Sequence, residues 1–245
     1  EDIGLVISDE VHLIGDESRG PTLEMILTHL KLLDTKPQII GLSATITNSN
    51  EIADWLECKL VKNDWRPVPL SEGVCDGGHV TMSDGKTFEV KPSLRGIPID
   101  LGVQSVQQGG QSLVFAETRV RSKSLATKAS DVVSQLLGKK ELAVLEKTSK
   151  QILAENEHTE IVKTLATLVR KGVAFHHAGL NQKCREIVEK EFRKGTIKLL
   201  SSTPTLAAGV NLPARRVVIS NINRYNAKVG ANRPISILEY KQLCG

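Results

Sequence analysis

Cysteine is scarce in this chain, and no two cysteines lie close together. The four, Cys58, Cys75, Cys184 and Cys244, form no Cys-x-x-Cys pair. This pattern excludes a zinc ribbon or a disulfide framework and suits free thiols in a reducing compartment. Long apolar runs are missing too. No stretch is long enough to span a bilayer, and Glu1-Asp2-Ile3 has neither the basic start nor the apolar core of a secretory leader. A cytoplasmic, intracellular protein with no membrane partner is expected. No repeat of solenoid period occurs. A phosphate-binding loop is absent from the chain as well. Gly85-Lys86-Thr87 ends like one, but the motif needs a glycine where Val80 stands. A hairpin turn is expected there instead. What is present is an ordinary globular composition of 245 residues, 40% hydrophobic and 24% charged, enough for one large domain or two small ones. The net charge of +4 is compatible with a phosphate backbone as partner and equally with a solvated basic surface.

The most informative stretch is Leu5-Val6-Ile7-Ser8-Asp9-Glu10-Val11-His12. An apolar run without polar alternation fits a parallel strand buried on both faces, and acids at its carboxyl end lie where open α/β sheets bind ligands. In ATP-hydrolysing motors the first such acid holds Mg²⁺ against the phosphates and the second can orient and deprotonate the attacking water. Asp9 is accordingly read as the metal acid and Glu10 as the catalytic base. A strand ending in a solvated acidic turn would look the same in isolation. After one helix-like segment, Ile39-Ile40 leads into Gly41-Leu42-Ser43-Ala44-Thr45, a second buried strand whose small hydroxyl residues can reach the same crevice.

Gly15 to Pro21 reads as a loop. Gly20 or Thr22 is a candidate cap for a helix with Leu23, Ile26, Leu27 and Leu30 on its buried face. Asn48 to Leu56 reads as a short helix. From Val61 to about Ser93 prolines and glycines punctuate short pieces, expected to be a domain crossing and then a hairpin of His79–Met82 and Thr87–Val90 turning at Asp84-Gly85. Beyond this, Ser112–Ala116 reads as a buried strand, 119 to 137 as a helix and Glu141 to Arg170 as one long helical stretch. Val173–Phe175 then reads as a strand, Asn181–Arg193 as a helix capped by Asn181, and Ile197–Leu200 as a strand. The alternation predicts a doubly wound parallel sheet.

Three places in this half carry chemistry. Thr118 and Arg119 leave a strand end together, and both suit a phosphate oxygen, although an ordinary helix start looks similar. Phe175-His176-His177-Ala178-Gly179 invites a metal reading, but no ligand cluster accompanies it, and a loop facing a polyanion fits better. Thr203 and Pro204 open a short helix whose free amides can take a phosphate, or which is merely capped.

Asp9-Glu10-x-His12 followed by Ser43-Ala44-Thr45 resembles motifs II and III of superfamily 2 helicases. The three later places resemble, in order, motif IV, its companion IVa and motif V. Together with Asp64-Trp65-Arg66-Pro67 and Glu239-Tyr240-Lys241-Gln242, they resemble the archaeal fork-repair DNA helicases related to the helicase half of DNA polymerase theta. The resemblance implies an α/β fold of tandem RecA-like lobes, the first (1–66) incomplete. The second (67–245) would have a parallel sheet flanked by helices and a β-hairpin. It also implies ATP and Mg²⁺ as cofactors, with Asp9 as the metal ligand, and single-stranded or forked DNA as partner. Asp9, Glu10 and His12 would be catalytic, and Ser43, Thr45, Gly209, Asn211 and Gln242 would couple to the nucleotide. Thr118, Arg119, His176, Thr203 and Thr205 would face the tracking strand. Arg224 and Tyr225, with Lys228 and Arg233, would form a basic strand-separating ribbon within Ile222–Ile237, a stretch that reads equally as an ordinary solvated hairpin. The chain starts at motif II and stops as motif VI begins, so alone it is expected to be inactive. A non-catalytic nucleic-acid-binding module and an RNA helicase of the same superfamily are the alternatives.

Overall fold

The apolar runs of the sequence become strands of separate sheets in two compact units, Glu1–Pro69 and Leu70–Gly245. In this computed structural model the described residues are 3–16, 19–43, 46, 48–63, 65–66, 68–206, 212–226 and 230–244, the side chains of 205, 225 and 226 excepted. Among the described residues no helix is long and apolar enough to cross a membrane.

In the first unit, β1 (Leu5–Ser8) pairs in parallel with β2 (Gln38–Gly41), Leu5 opposite Gln38 and Ser8 opposite Gly41. A tight 3-10 turn at Val11–Gly15 leads to α1 (Gly20–Lys31), and α2 (Ser49–Leu56) follows β2. Neither Gly20 nor Thr22 caps α1. Arg19 holds the cap position, and its own amide is bonded to Asp16 Oδ1 at 2.9 Å. Gly20 is required for another reason: a Cβ there would collide with the Ile14 carbonyl. Val11, Leu27 and Leu56 form the core, with Leu23, Ile39, Ile52 and Trp55 packed against it. Further expectations of burial fail here, that of β2 among them, where Ile40 is 38% exposed. Ile26 is 52% exposed, and β1 is not buried on both faces, because Leu5 and Ile7 stand 51% and 60% exposed with no described layer over their side of a two-stranded sheet.

The second unit opens with an antiparallel meander of β3 (Gly73–Asp76), β4 (His79–Met82) and β5 (Thr87–Glu89). The β4–β5 turn falls at Asp84-Gly85 as expected, Gly85 taking φ +83°. Gly85-Lys86-Thr87 is thus a hairpin turn. Then come α3 (Ile97–Gln107), β6 (Ser112–Phe115), α4 (Arg119–Gln135), α5 (Lys139–Ala154), α6 (Glu160–Val169), β7 (Val173–His176), α7 (Gln182–Arg193) and β8 (Leu199–Ser202). A three-residue 3-10 turn at Pro204–Leu206 precedes β9 (Arg216–Ile219), the ribbon β10 (Asn223–Asn226) and β11 (Ala231–Pro234), and α8 (Ile237–Cys244). The single helical stretch expected from Glu141 to Arg170 is two helices. Asn156 and His158 bond back to the carbonyls of Ile152 and Leu153, which closes α5, and Thr159 caps α6 by accepting from Val162 N.

β6 to β9 form one parallel sheet in the order β7-β8-β6-β9. Chains leaving β6 and β8 must cross the sheet in opposite directions, which opens a crevice at the carboxyl ends of these neighbours. β6, β7 and β8 are buried along their whole length, with Phe115, Phe175 and Phe192 among the largest side chains shut away from water.

The loop between the meander and α3 is held by one buried acid. Asp100 accepts from Ser93 N at 2.8 Å, Ser93 Oγ at 2.6 Å and Arg95 Nε at 3.2 Å. Asp100→Ala would leave those donors without their partner, so urea unfolding is expected to show a loss of about 2–4 kcal/mol. A loss below about 0.5 kcal/mol would mean that the loop finds equivalent partners elsewhere.

Candidate functional site

The acids at the end of β1 are held by a short polar chain. Asp9 is exposed and accepts the Glu10 amide on Oδ1 at 2.8 Å. Glu10 takes the left-handed conformation, φ 52° and ψ 40°, uncommon for a residue with a side chain and typical of functional turns. The neighbouring strand ends are locked together: Leu42 N donates to Ser8 O at 2.8 Å and Val11 N to Leu42 O at 2.9 Å. His12, 3% exposed, sits between the two motifs. Its Nε2 lies 3.2 Å from Glu10 Oε2 and its Nδ1 3.2 Å from Ser43 Oγ. A neutral imidazole satisfies both contacts when Nε2–H donates to the carboxylate and Nδ1 accepts the serine hydroxyl; the Glu10 carboxylate, which only accepts, fixes that tautomer, and Ser43 completes it.

A single exposed carboxylate such as Asp9 suits Mg²⁺, which binds through one or two protein carboxylates together with phosphate oxygens and water. No group of three or more histidine, cysteine or acidic side chains able to hold a metal occurs among the described residues. Ala44 and Thr45 lie outside the described residues.

In the second unit the register gathers the candidate residues at one edge. Phe115 pairs with Ser202 and with Ile219, and His176 with Ser202, so all four strands end level. The ladder runs one step further, with Ala116 N on Ser202 O and Thr203 N on His176 O. Thr118 caps α4, its Oγ1 accepting from Arg121 N at 3.1 Å, and both Thr118 and Arg119 are exposed. The Thr118 hydroxyl hydrogen remains available to a phosphate beside the Arg119 guanidinium.

Other expected contacts are turned inward. His176 is 4% exposed and its Nε2 is bonded to Glu189 Oε1 at 2.9 Å, so it braces the edge from beneath instead of facing a strand. Thr203 is 7% exposed, leaving little of it to touch a ligand. The Arg224 guanidinium folds back on the base of the ribbon, Nη1 donating to Asn221 O at 2.7 Å. Gln242 is half-buried on α8. Gly209, Asn211 and Lys228 lie outside the described residues, as do the side chains of Thr205 and Tyr225. Glu189 and Glu239 were missed, since an acid on an amphipathic helix carries no sign in sequence of which neighbour it meets. His177, stacked on Phe175 at 5.3 Å and accepting Gly179 N at 3.1 Å, sets the shape of the loop beside Arg119.

With the two strand-end clusters placed, the comparisons decide the family. Residues 1–52 match the DEAD/DEAH box helicase family and residues 131–245 the helicase conserved C-terminal domain. The chain is 44% identical over 247 residues to the ATP-dependent DNA helicase Hel308 of Pyrobaculum calidifontis, covering 99% of this chain and 34% of that protein. It is 44% identical over 254 residues to that of Caldivirga maquilingensis and 43% over 243 residues to that of Pyrococcus horikoshii, each alignment covering 99% of this chain and 32% of the relative. The chain belongs to the superfamily 2 helicases, of the Hel308 type. It spans about a third of the length of the curated relatives it matches. The parallel sheet flanked by helices is the RecA-like architecture of this superfamily.

Burial lowers the pKa of both edge histidines. For His176 burial outweighs the opposing pull of Glu189, and for His177 the Arg119 charge adds to it. Both are neutral in the fold, so their contribution to stability is complete above the ordinary value of 6.5 and is lost as pH falls below it through the folded values. The melting temperature is expected to fall between about pH 7.5 and about 5.5, and His176→Gln to flatten that fall. A profile equally steep in His176→Gln would place the pH dependence elsewhere.

Proposed function

We propose that the chain is the motor segment, from motif II to the start of motif VI, of an ATP-dependent helicase that tracks 3′ to 5′ along single-stranded or forked DNA in replication and repair. The observation that carries this reading is His12 bridging Glu10 to Ser43, a connection suited to a carboxylate that must be aimed at a water. ATP bound with Mg²⁺ supplies the phosphoryl bond that is broken. Asp9 would hold that ion. Glu10, held by His12 Nε2–H, orients the attacking water and accepts its proton. In the second unit Thr118 and Arg119 take strand phosphates, while Glu189 and His176 keep the loop in shape beneath them. Gln242, Thr45, Gly209 and Asn211 couple nucleotide to strand in this reading. DNA as the substrate is supported by the names of the relatives, each an ATP-dependent DNA helicase.

In a protein of the relatives' length carrying this segment, Glu10→Gln is expected to lower ATP turnover by about 10²-fold or more. Fluorescent-nucleotide affinity should stay within about threefold, since an isosteric amide leaves the site's shape intact. Turnover unchanged in Glu10→Gln would remove Glu10 as the base.

A further inference from the structure

The ribbon β10–β11 sets two arginines against each other. Arg224 lies directly opposite Arg233, so both side chains leave the same face of the ribbon. Like charges directly opposite on a sheet are destabilising. The structure relieves the pair on one side only. Arg224 is turned back, with Nη1 on the Asn221 and Asn223 carbonyls at 2.7 and 3.3 Å and Nε 3.6 Å from Glu239 Oε1. Its Nε and Nη2 are shut away from water and make no hydrogen bond, whereas Arg233 is exposed. Nε and Nη2 are the two donors that receive a carboxylate side-on, so the open fork points to a carboxylate partner, and Glu239 stands beside it. Closing that gap to a normal hydrogen bond needs a movement of only about 0.7 Å.

Glu239 belongs to the first turn of α8, where its amide donates to Ser236 Oγ at 3.0 Å. The next residue, Tyr240, has its hydroxyl beside Glu72 and Cys244, and burial, followed by these two neighbours, pushes its pKa upward. α8 is thus fastened to the segment that leads into β3 and faces the ribbon through Glu239. Gln242 rides on the same helix.

We propose that Arg224 is a positioning residue that ties the ribbon to α8 through Glu239, and that Arg233 is the arginine of the pair that meets the phosphate backbone. The ribbon then moves with the helix that carries Gln242, and a sub-ångström shift of α8 converts a loose ion pair into a two-pronged hydrogen-bonded one. This inference rests on the helicase reading above.

The test uses a protein of the relatives' length with Arg224→Gln, Glu239→Gln, the double variant and Arg233→Ala. It measures DNA-stimulated ATP turnover, base pairs opened per ATP on a fork, and single-strand affinity across a salt series. Arg233→Ala is expected to make the log–log salt slope shallower by about one phosphate contact. Arg224→Gln and Glu239→Gln are expected to leave that slope unchanged and ATP turnover within about twofold, yet each to lower base pairs opened per ATP by roughly threefold or more, with the double variant no worse than the poorer single. Single effects that multiply in the double variant would overturn the tie. A salt slope lowered by Arg224→Gln as much as by Arg233→Ala would overturn the division of roles. An unmutated protein that neither hydrolyses ATP nor opens the fork would overturn the helicase reading and the inference with it, and is distinguished from the other failures by needing no variant.

Discussion

The level, in-register hydrogen-bond ladder of β7-β8-β6-β9 is the constraint on which the second unit depends. Because Phe115, His176, Ser202 and Ile219 are drawn into one line, three loops distant in sequence emerge side by side. A slip of one residue in a strand would turn its buried side chains to the opposite face. Strands as apolar as Leu113–Phe115 and Val173–Phe175 bury both faces and need the helices α3, α4, α6 and α7 around them, so register and packing enforce each other. The Thr118–Arg119 helix start, the paired histidines and Thr203 are neighbours for that reason alone.

The first unit works with less. Its two strands carry a small core around Val11, Leu27 and Leu56, and the order at the Asp9–Glu10 turn comes instead from polar links. Backbone bonds from Leu42 to Ser8 and from Val11 to Leu42 hold the two strand ends, and His12 joins Glu10 to Ser43 across them. The left-handed Glu10 is tolerated because these neighbours fix the residues on either side of it.

Strands were legible where apolar residues run without interruption, and the cap at Asn181 was legible while that of α1 was not. α3 escaped notice because Pro98 and Gly102 punctuate it. Gly102 is there since a Cβ would crowd Leu199 and Val114, a demand of helix–sheet packing that leaves no local sign. β9 escaped because Arg215 and Arg216 disguise its start, yet Arg216 runs half-buried over the Phe88 ring and bonds to Leu101 O. Among the site residues, position at a strand end was legible and side-chain direction was not. His176 turns to Glu189, Thr203 is covered, and Arg224 turns towards Glu239, each settled by a partner many residues away. Leu5 and Ile7 teach the same lesson in reverse, since an apolar strand becomes buried only when other layers cover it.

The central claim is that the level carboxyl edge of the second unit is a surface for a phosphate backbone. The most direct measurement is equilibrium binding of this chain and of Arg119→Ala to matched single-stranded DNA and RNA across a salt series. Log affinity is expected to fall linearly with log salt, more weakly by about one unit of slope in Arg119→Ala, with DNA preferred over RNA. Affinity indifferent to salt, or a slope that Arg119→Ala leaves unchanged, would contradict it.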